Sequence, residues 1–163
     1  MLLDVLRSTY FSYAYSIISY GIIFWGNSSH SEEIFKVQKR LIRIIMNLGK
    51  NASCWQPFKE LNILPVPSQY ILLVLLFLTN NKDQFMTNAQ MHTITTRQTF
   101  DLYVPAANLT IYQKGVYYQG IKICNHLPKT IKDLSGDKNK FKLVLKRYLL
   151  HNSFYSLNEY FDT

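Results

Sequence analysis

The stretch IFKVQKRLIRIIMNLG, Ile34 to Gly49, decides how the chain is read. Ile34, Val37, Leu41, Ile44, Ile45 and Leu48 recur at three- and four-residue spacing. That period predicts an amphipathic helix with this stripe turned to a core. Lys36, Lys39, Arg40 and Arg43 take the remaining surface, four cations in eight positions. Lys36, Arg40 and Arg43 follow the same spacing and can share a face. Such a face either holds a polyanion or is only the wet side of a core helix. Ahead of it, Ser29 with Glu32 matches a capping box, and Glu32 and Glu33 suit the positive end of the helix dipole. Gly49 supplies a stop.

Upstream, Leu2 to Trp25 predicts a first helix, ended by Gly26-Asn27. Apolar and aromatic side chains cover most of its circumference, so it is expected to be buried. Downstream, a short helix is expected around Pro57 to Leu61, then a proline-punctuated turn. Pro67 suits the first turn of a helix over Ser68 to Thr79, which is apolar all round and belongs in the centre. From Asn80 to Tyr112 the pattern dissolves into a polar, Thr-rich segment, with room for one short extended piece at Leu102 to Val104. Order returns as helices over Tyr117–Leu127, Pro128–Leu134, Phe141–His151 and Tyr155–Phe161. In the third of these, Phe141, Val144, Leu145 and Tyr148 fall at helical spacing. The expected fold is mainly α, a helical bundle of about six to seven helices with a long irregular middle and at most one short β element. Composition divides it into a helical region over 1–80, an irregular linker over 81–112 and a C-terminal helical region over 113–163.

The 163 residues suffice to bury a core, and the net charge of +8 favours an anionic partner, nucleic acid or a membrane surface. The charge is uneven. Residues 1–60 hold seven Lys or Arg against four acids, 61–110 two against two, and 111–163 nine against four. Two windows without Lys, Arg, Asp or Glu, Ser8–Ser31 and Leu61–Asn81, could be taken for membrane spans. Serines and tyrosines interrupt the first, Pro65 and Pro67 the second, and the apolar run YILLVLLFL is about half the ~20 residues a span needs. Both read as buried helices, and no membrane partner is expected. Cys54 and Cys124 are the only cysteines, far apart, so a reducing intracellular compartment is the default. The start carries no signal-peptide pattern.

Nucleotidyl transfer needs carboxylates gathered around two metal ions. The ten acids hold no Asp-Asp pair, and Glu32-Glu33 is the only adjacent pair. Phosphate-loop and nucleophile-elbow motifs are missing as well. Cys54, His92, Cys124 and His126 offer zinc-type ligands, but from distant segments without Cys-x-x-Cys spacing, so the structural reading is preferred. No metal or cofactor is expected.

Several segments form a set: YSIISYGIIFWGNSS, IFKVQKRLIRIIMNL, FKELNILPVPSQYI, Thr96-Arg97, GIKICNHLPKTIK and FKLVLKRYLLHNSFYSLNEYF. In this collinear order they resemble the region after the reverse transcriptase palm, at the end of the reading frame of jockey-like non-LTR retrotransposons. The resemblance spans nearly the whole chain. No single piece is specific; Tyr20-Gly21 with Trp25-Gly26, Gln38-Lys39-Arg40, and Asn125 with Leu127-Pro128 carry it together. It implies a thumb or post-thumb piece of an RNA-directed DNA polymerase whose catalytic aspartates lie upstream, so that this polypeptide alone is not an enzyme. It also implies a grip on template–primer RNA or RNA–DNA duplex through phosphate contacts. Lys36, Lys39, Arg40 and Arg43 would supply these, with Lys50 and Arg97 as weaker additions and Lys138, Lys140, Lys142, Lys146 and Arg147 as a second cluster. Tyr10, Tyr13 and Tyr20 could stack on bases, though helical spacing among Ile and Phe favours a core role. The upstream polymerase core is the other implied partner, in nucleus or cytoplasm. The alternative is an interaction module without nucleic-acid binding, which packs on that core or self-associates.

Overall fold

A computed structural model of the chain describes residues 2–91 and 99–163. His92, Thr96 and Arg97, named above, lie outside the described residues. The fold is mainly α, as the periodicity predicts. The first half contains α1 (Leu2–Tyr10), a π-helical turn (Phe11–Tyr15), α2 (Ser16–Ser19), α3 (Ile22–Trp25), α4 (Ser31–Ile45), α5 (Trp55–Glu60) and α6 (Val66–Asn80). The second contains α7 (Asn88–Met91), α8 (Thr110–Gln113), α9 (Val116–His126), α10 (Lys129–Lys132), α11 (Lys138–Asn152) and α12 (Leu157–Phe161). The extended piece around Leu102 is an isolated antiparallel bridge to Thr87. The chain forms two compact units, residues 1–70 with 146–163 and residues 71–145, and the divisions fall inside α6 and α11. Among the described residues no helix is long and apolar enough to cross a membrane.

In the first unit, the single helix expected over Leu2 to Trp25 widens once and is broken once. Ser12 and Ser16 donate their hydroxyls to the carbonyls of Ser8 and Ser12, each at 2.9 Å, and the helix widens to a π turn there. At Tyr20 the backbone turns extended and Gly21 takes φ +61°, a left-handed conformation that glycine adopts at little cost. The expected burial also fails. Tyr10, Ile18 and Ile22 face the core, while Leu2, Val5, Tyr13, Ile17, Tyr20 and Phe24 face outward.

The helix over IFKVQKRLIRII is present as α4, but rolled. Its buried residues are Phe35, Gln38 and Ile42; Val37 is 56% and Ile44 65% exposed, and Leu48 is exposed too. The core face is displaced from the apolar stripe by about one residue's 100°. Two partners impose the roll. Phe35 joins Phe58 and Tyr155 in an aromatic cluster, with ring centroids 6.2 and 5.0 Å away. Gln38 is fully buried, and its amide makes three bonds. Nε2 donates to Tyr10 Oη at 2.8 Å and to Leu64 O at 2.9 Å, while Oε1 accepts from Val66 N at 2.9 Å. It therefore closes the two backbone groups that flank Pro65. A buried unsatisfied donor or acceptor costs about 1–3 kcal/mol, so leaving Leu64 O and Val66 N both unpaired would cost about 2–6 kcal/mol, at least as much as the burial forgone at the partly exposed Val37 and Ile44.

The ends of α4 differ from expectation as well. Ser29 does not cap; the N-cap is His30, without a side-chain bond, and Ser31 Oγ bonds back to Ser28 O at 2.7 Å. The stop is Asn47 at φ +52°, not Gly49. Leu48 N reaches back to Arg43 O at 2.8 Å and Asn47 N to Ile44 O at 3.1 Å, a Schellman closure.

In the second unit Gly120 of α9 lets the helix approach Val74 and Leu78 of α6. Phe85 stacks on Tyr117 with centroids 5.0 Å apart. Asn125 holds the extended piece: its Oδ1 accepts from Leu102 N at 2.9 Å and its Nδ2 donates to Leu102 O at 2.8 Å. This side-chain amide pairs with the backbone as a neighbouring strand would.

Candidate nucleic-acid interface

A 15-residue helix presents its face opposite the core as a straight strip, and α4 does so with cations. Opposite Gln38, positions 36, 39, 40 and 43 fall within an arc of about 100°, over about 10 Å of helix axis. The roll of α4 leaves this strip outward while it exposes Val37 and Ile44 along one border. Lys36 and Arg40 are exposed. Lys39 and Arg43 are half-buried and held. The Lys39 ammonium lies 4.7 Å from the Phe35 ring centroid and 5.7 Å from that of Tyr155. Arg43 Nε donates to Ala52 O at 2.9 Å. The strip thus has two pre-positioned cations and two free ones.

Cys54 lies under the strip, with Sγ 3.5 Å from Lys39 O. Burial raises its thiol pKa, against a smaller lowering by Arg43 and Lys39. A thiol kept protonated is a poor nucleophile, and this one behaves as a core residue. Tyr155 is pushed from 10.0 to about 12, first by burial and then by Cys54, with Arg43 opposing. The aromatic floor beneath Lys39 therefore stays neutral at physiological pH. Lys39 interacts with ring faces and has no phenolate to pair with.

Lys50 is exposed in the turn after α4. Arg97 lies outside the described residues. The second basic cluster does not form a single face. On α11, Lys138, Lys142 and Lys146 recur every four residues, and Lys140 and Arg147 project from roughly the opposite side. A rod-like polyanion cannot meet all five from one direction. The tyrosines divide: Tyr10 is buried on Gln38, while Tyr13 and Tyr20 are exposed.

The second unit holds a cavity of about 870 Å³ lined by Leu78, Phe85, Leu102, Leu127, Phe141 and Lys132, among others. Two of its three lysines, Lys82 and Lys132, are engaged within the unit. Lys132 Nζ bonds Asp101 Oδ1 at 3.0 Å and Asn125 O at 2.6 Å, and Lys82 Nζ bonds Ser135 O at 2.6 Å. The Lys132 bonds tie the loop carrying Asp101 to α10 and α10 to α9. Among the described residues no group of three His, Cys, Asp or Glu side chains gathers in a way that could hold a metal ion.

Two residues that organise these regions, Gln38 and Asn125, were visible in sequence only as members of a motif. A glutamine on the border of a predicted helical stripe is a weak signal, since nothing local reveals that Leu64 and Val66 need partners. No family model, curated protein or solved structure matches the chain.

Proposed function

We propose that the chain is a non-catalytic C-terminal piece of a jockey-like retrotransposon reverse transcriptase, which contacts template–primer RNA or RNA–DNA duplex through the outer face of α4. The observation that carries the reading is the strip itself: four cations within one arc of a single helix, with Lys36 and Arg40 uncovered. Guanidinium and ammonium groups so placed contact successive phosphates without reading bases. Arg40 suits bidentate phosphate contact. Lys39 and Arg43, already fixed by ring faces and a backbone carbonyl, lose less freedom on binding than free side chains would. The collinear resemblance over nearly the whole sequence supplies the polymerase context. In that context catalysis belongs to an upstream palm, and this polypeptide by itself extends no primer.

The test is fluorescence anisotropy of the full chain with a labelled RNA–DNA duplex across a salt series. About four phosphate contacts give a slope of log K against log salt of about −3 to −4. Lys36→Glu with Arg40→Glu removes most of the affinity and flattens that slope. Unchanged affinity in this double variant refutes the assignment of the face.

A further inference from the structure

The outward side of the first helical run calls for a different partner. Tyr13 is 71%, Ile17 74%, Tyr20 85% and Phe24 79% exposed, and Leu2 and Val5 extend the patch toward the N-terminus. Tyr13, Ile17 and Tyr20 follow four- and three-residue spacing, and Phe24 lies one turn beyond the bend at Gly21. Covered aromatic side chains each bury about 150–250 Å², so Tyr13, Tyr20 and Phe24 alone leave roughly 350–600 Å² open. With Ile17, Val5 and Leu2 the area reaches the ~600 Å² per partner at the lower end of specific interfaces.

The polar groups between these side chains are already satisfied. Thr9, Ser12 and Ser16 hydroxyls donate to the carbonyls of Val5, Ser8 and Ser12, each at 2.9 Å. Covering them strips little hydration. From Ser8 to Ser31 no Lys, Arg, Asp or Glu occurs, in a chain of net charge +8. An acidic protein, a polyanion or an anionic headgroup layer would find no cation on this stretch. A second copy finds no like charge from Ser8 to Trp25, and the adjoining α1 carries one charge of each sign, Asp4 and Arg7, so two copies approach on this face with little repulsion.

We propose that this face is the two-fold interface of a homodimer, in which the α1–α3 run of one copy packs on the same run of its partner. The interface is isologous, with tyrosines and Phe24 interdigitating and the serines permitting close approach. Because overall charge opposes pairing while apolar burial drives it, the dimer tightens as salt rises. Nucleic-acid binding by α4 has the opposite salt dependence, so the two readings fail separately.

Sedimentation velocity on the full chain is expected to show a dimer whose dissociation constant falls with added salt. Tyr13→Glu with Ile17→Glu is expected to weaken it at least ~100-fold with unchanged helical circular dichroism. Should that variant not fold, Ser16→Cys in the otherwise unaltered chain is expected to give a disulfide-linked dimer under mild oxidation, and Lys36→Cys on the exposed face of α4 is not. A wild-type chain that stays monomeric at its highest soluble concentration overturns the proposal. So does a dimer indifferent to the Tyr13 and Ile17 changes. Flotation of the monomer with neutral phosphatidylcholine vesicles would reassign the face to lipid, and a monomer that binds only an added upstream polymerase segment would reassign it to that segment.

Discussion

Two stretches of the first unit, the α1–α3 run and α4, face solvent with opposite chemistry. From Ser8 onward the run presents Tyr13, Ile17, Tyr20 and Phe24 and no Lys, Arg, Asp or Glu; α4 presents Lys36 and Arg40 beside Val37 and Ile44. The run is expected to be buried over most of its circumference and α4 to bury its apolar stripe, and both expose large apolar side chains. They share a joint, the bond from Gln38 Nε2 to Tyr10 Oη. The difference teaches that a buried polar residue with distant backbone partners can outrank an apolar stripe in orienting a helix. Gln38 closes the backbone on both sides of Pro65, Phe35 follows it into the aromatic cluster, and Val37 and Ile44 are left outside.

The sharpest way to break this arrangement is at the joint. Gln38→Leu keeps the volume and removes three hydrogen bonds, leaving Tyr10 Oη, Leu64 O and Val66 N without that partner. The expected loss is about 3–5 kcal/mol, read as a drop in urea midpoint. A loss below about 1 kcal/mol would mean that the stripe, not the glutamine, orients α4.

Alkali attacks the same joint from the other helix. Burial holds the Tyr10 phenol at about 12 instead of 10.0, with the Gln38 bond lowering it less and Tyr15 raising it slightly. The raised folded value means that stability is intact below the ordinary pKa and is lost as pH climbs from about 10 to 12. Two units correspond to about 2–3 kcal/mol. Tyr70, also held at about 12 by burial, adds to the same transition. Stability at pH 11.5 equal to that at pH 8 would show these phenols to be freely ionisable; a Tyr10→Phe comparison apportions the effect.

Gly26, where the first run ends, offers a smaller perturbation. A methyl group there would meet the Tyr70 ring, with Cγ at 2.9 Å, and Ile22 O at 2.7 Å. Gly26→Ala is expected to cost about 1–3 kcal/mol, since an aromatic ring and a helix carbonyl yield little. Gly49→Ala, with nothing within 4 Å of the added methyl, is the control and should be close to neutral. Equal effects at both sites in thermal melts would contradict the packing at Tyr70.

Least of all should be felt from the charged face. Lys36→Glu with Arg40→Glu is expected to change stability by no more than about 0.5 kcal/mol. A large destabilisation would place these side chains in the fold and not on its surface, and would remove the ground for assigning them to phosphate.

The same local pattern read twice shows how far sequence reaches. Ser-x-x-Glu occurs at Ser29–Glu32 and at Ser156–Glu159. Only the second caps: Ser156 is extended at φ −148° and accepts from Glu159 N, while Glu159 Oε2 accepts from Tyr155 N at 2.7 Å. At the first, a chain of turn bonds, Ser28 N to Trp25 O and Ser31 N to Ser28 O, carries the backbone into α4 through His30 in helical conformation. The side-chain chemistry is equal at both sites, and the preceding backbone decides. Likewise the helix over Ser68 to Thr79 was legible because it is apolar on every side and needs no choice of face. α4 required a choice of face and the stripe gives the wrong one; the first run, read as buried on most sides, exposes one of them.

What the residues alone determined is local: helical periodicity, the positions of Pro67 and Pro128 at helix starts, and a three-and-four spacing that brings Lys36, Lys39, Arg40 and Arg43 onto one side of any helix they form. These follow from neighbours a turn away. Which side of each helix meets solvent was decided only in three dimensions. The unsatisfied backbone of Leu64 and Val66 and the ring of Tyr155 select the buried face of α4, and no window of sequence around it contains them.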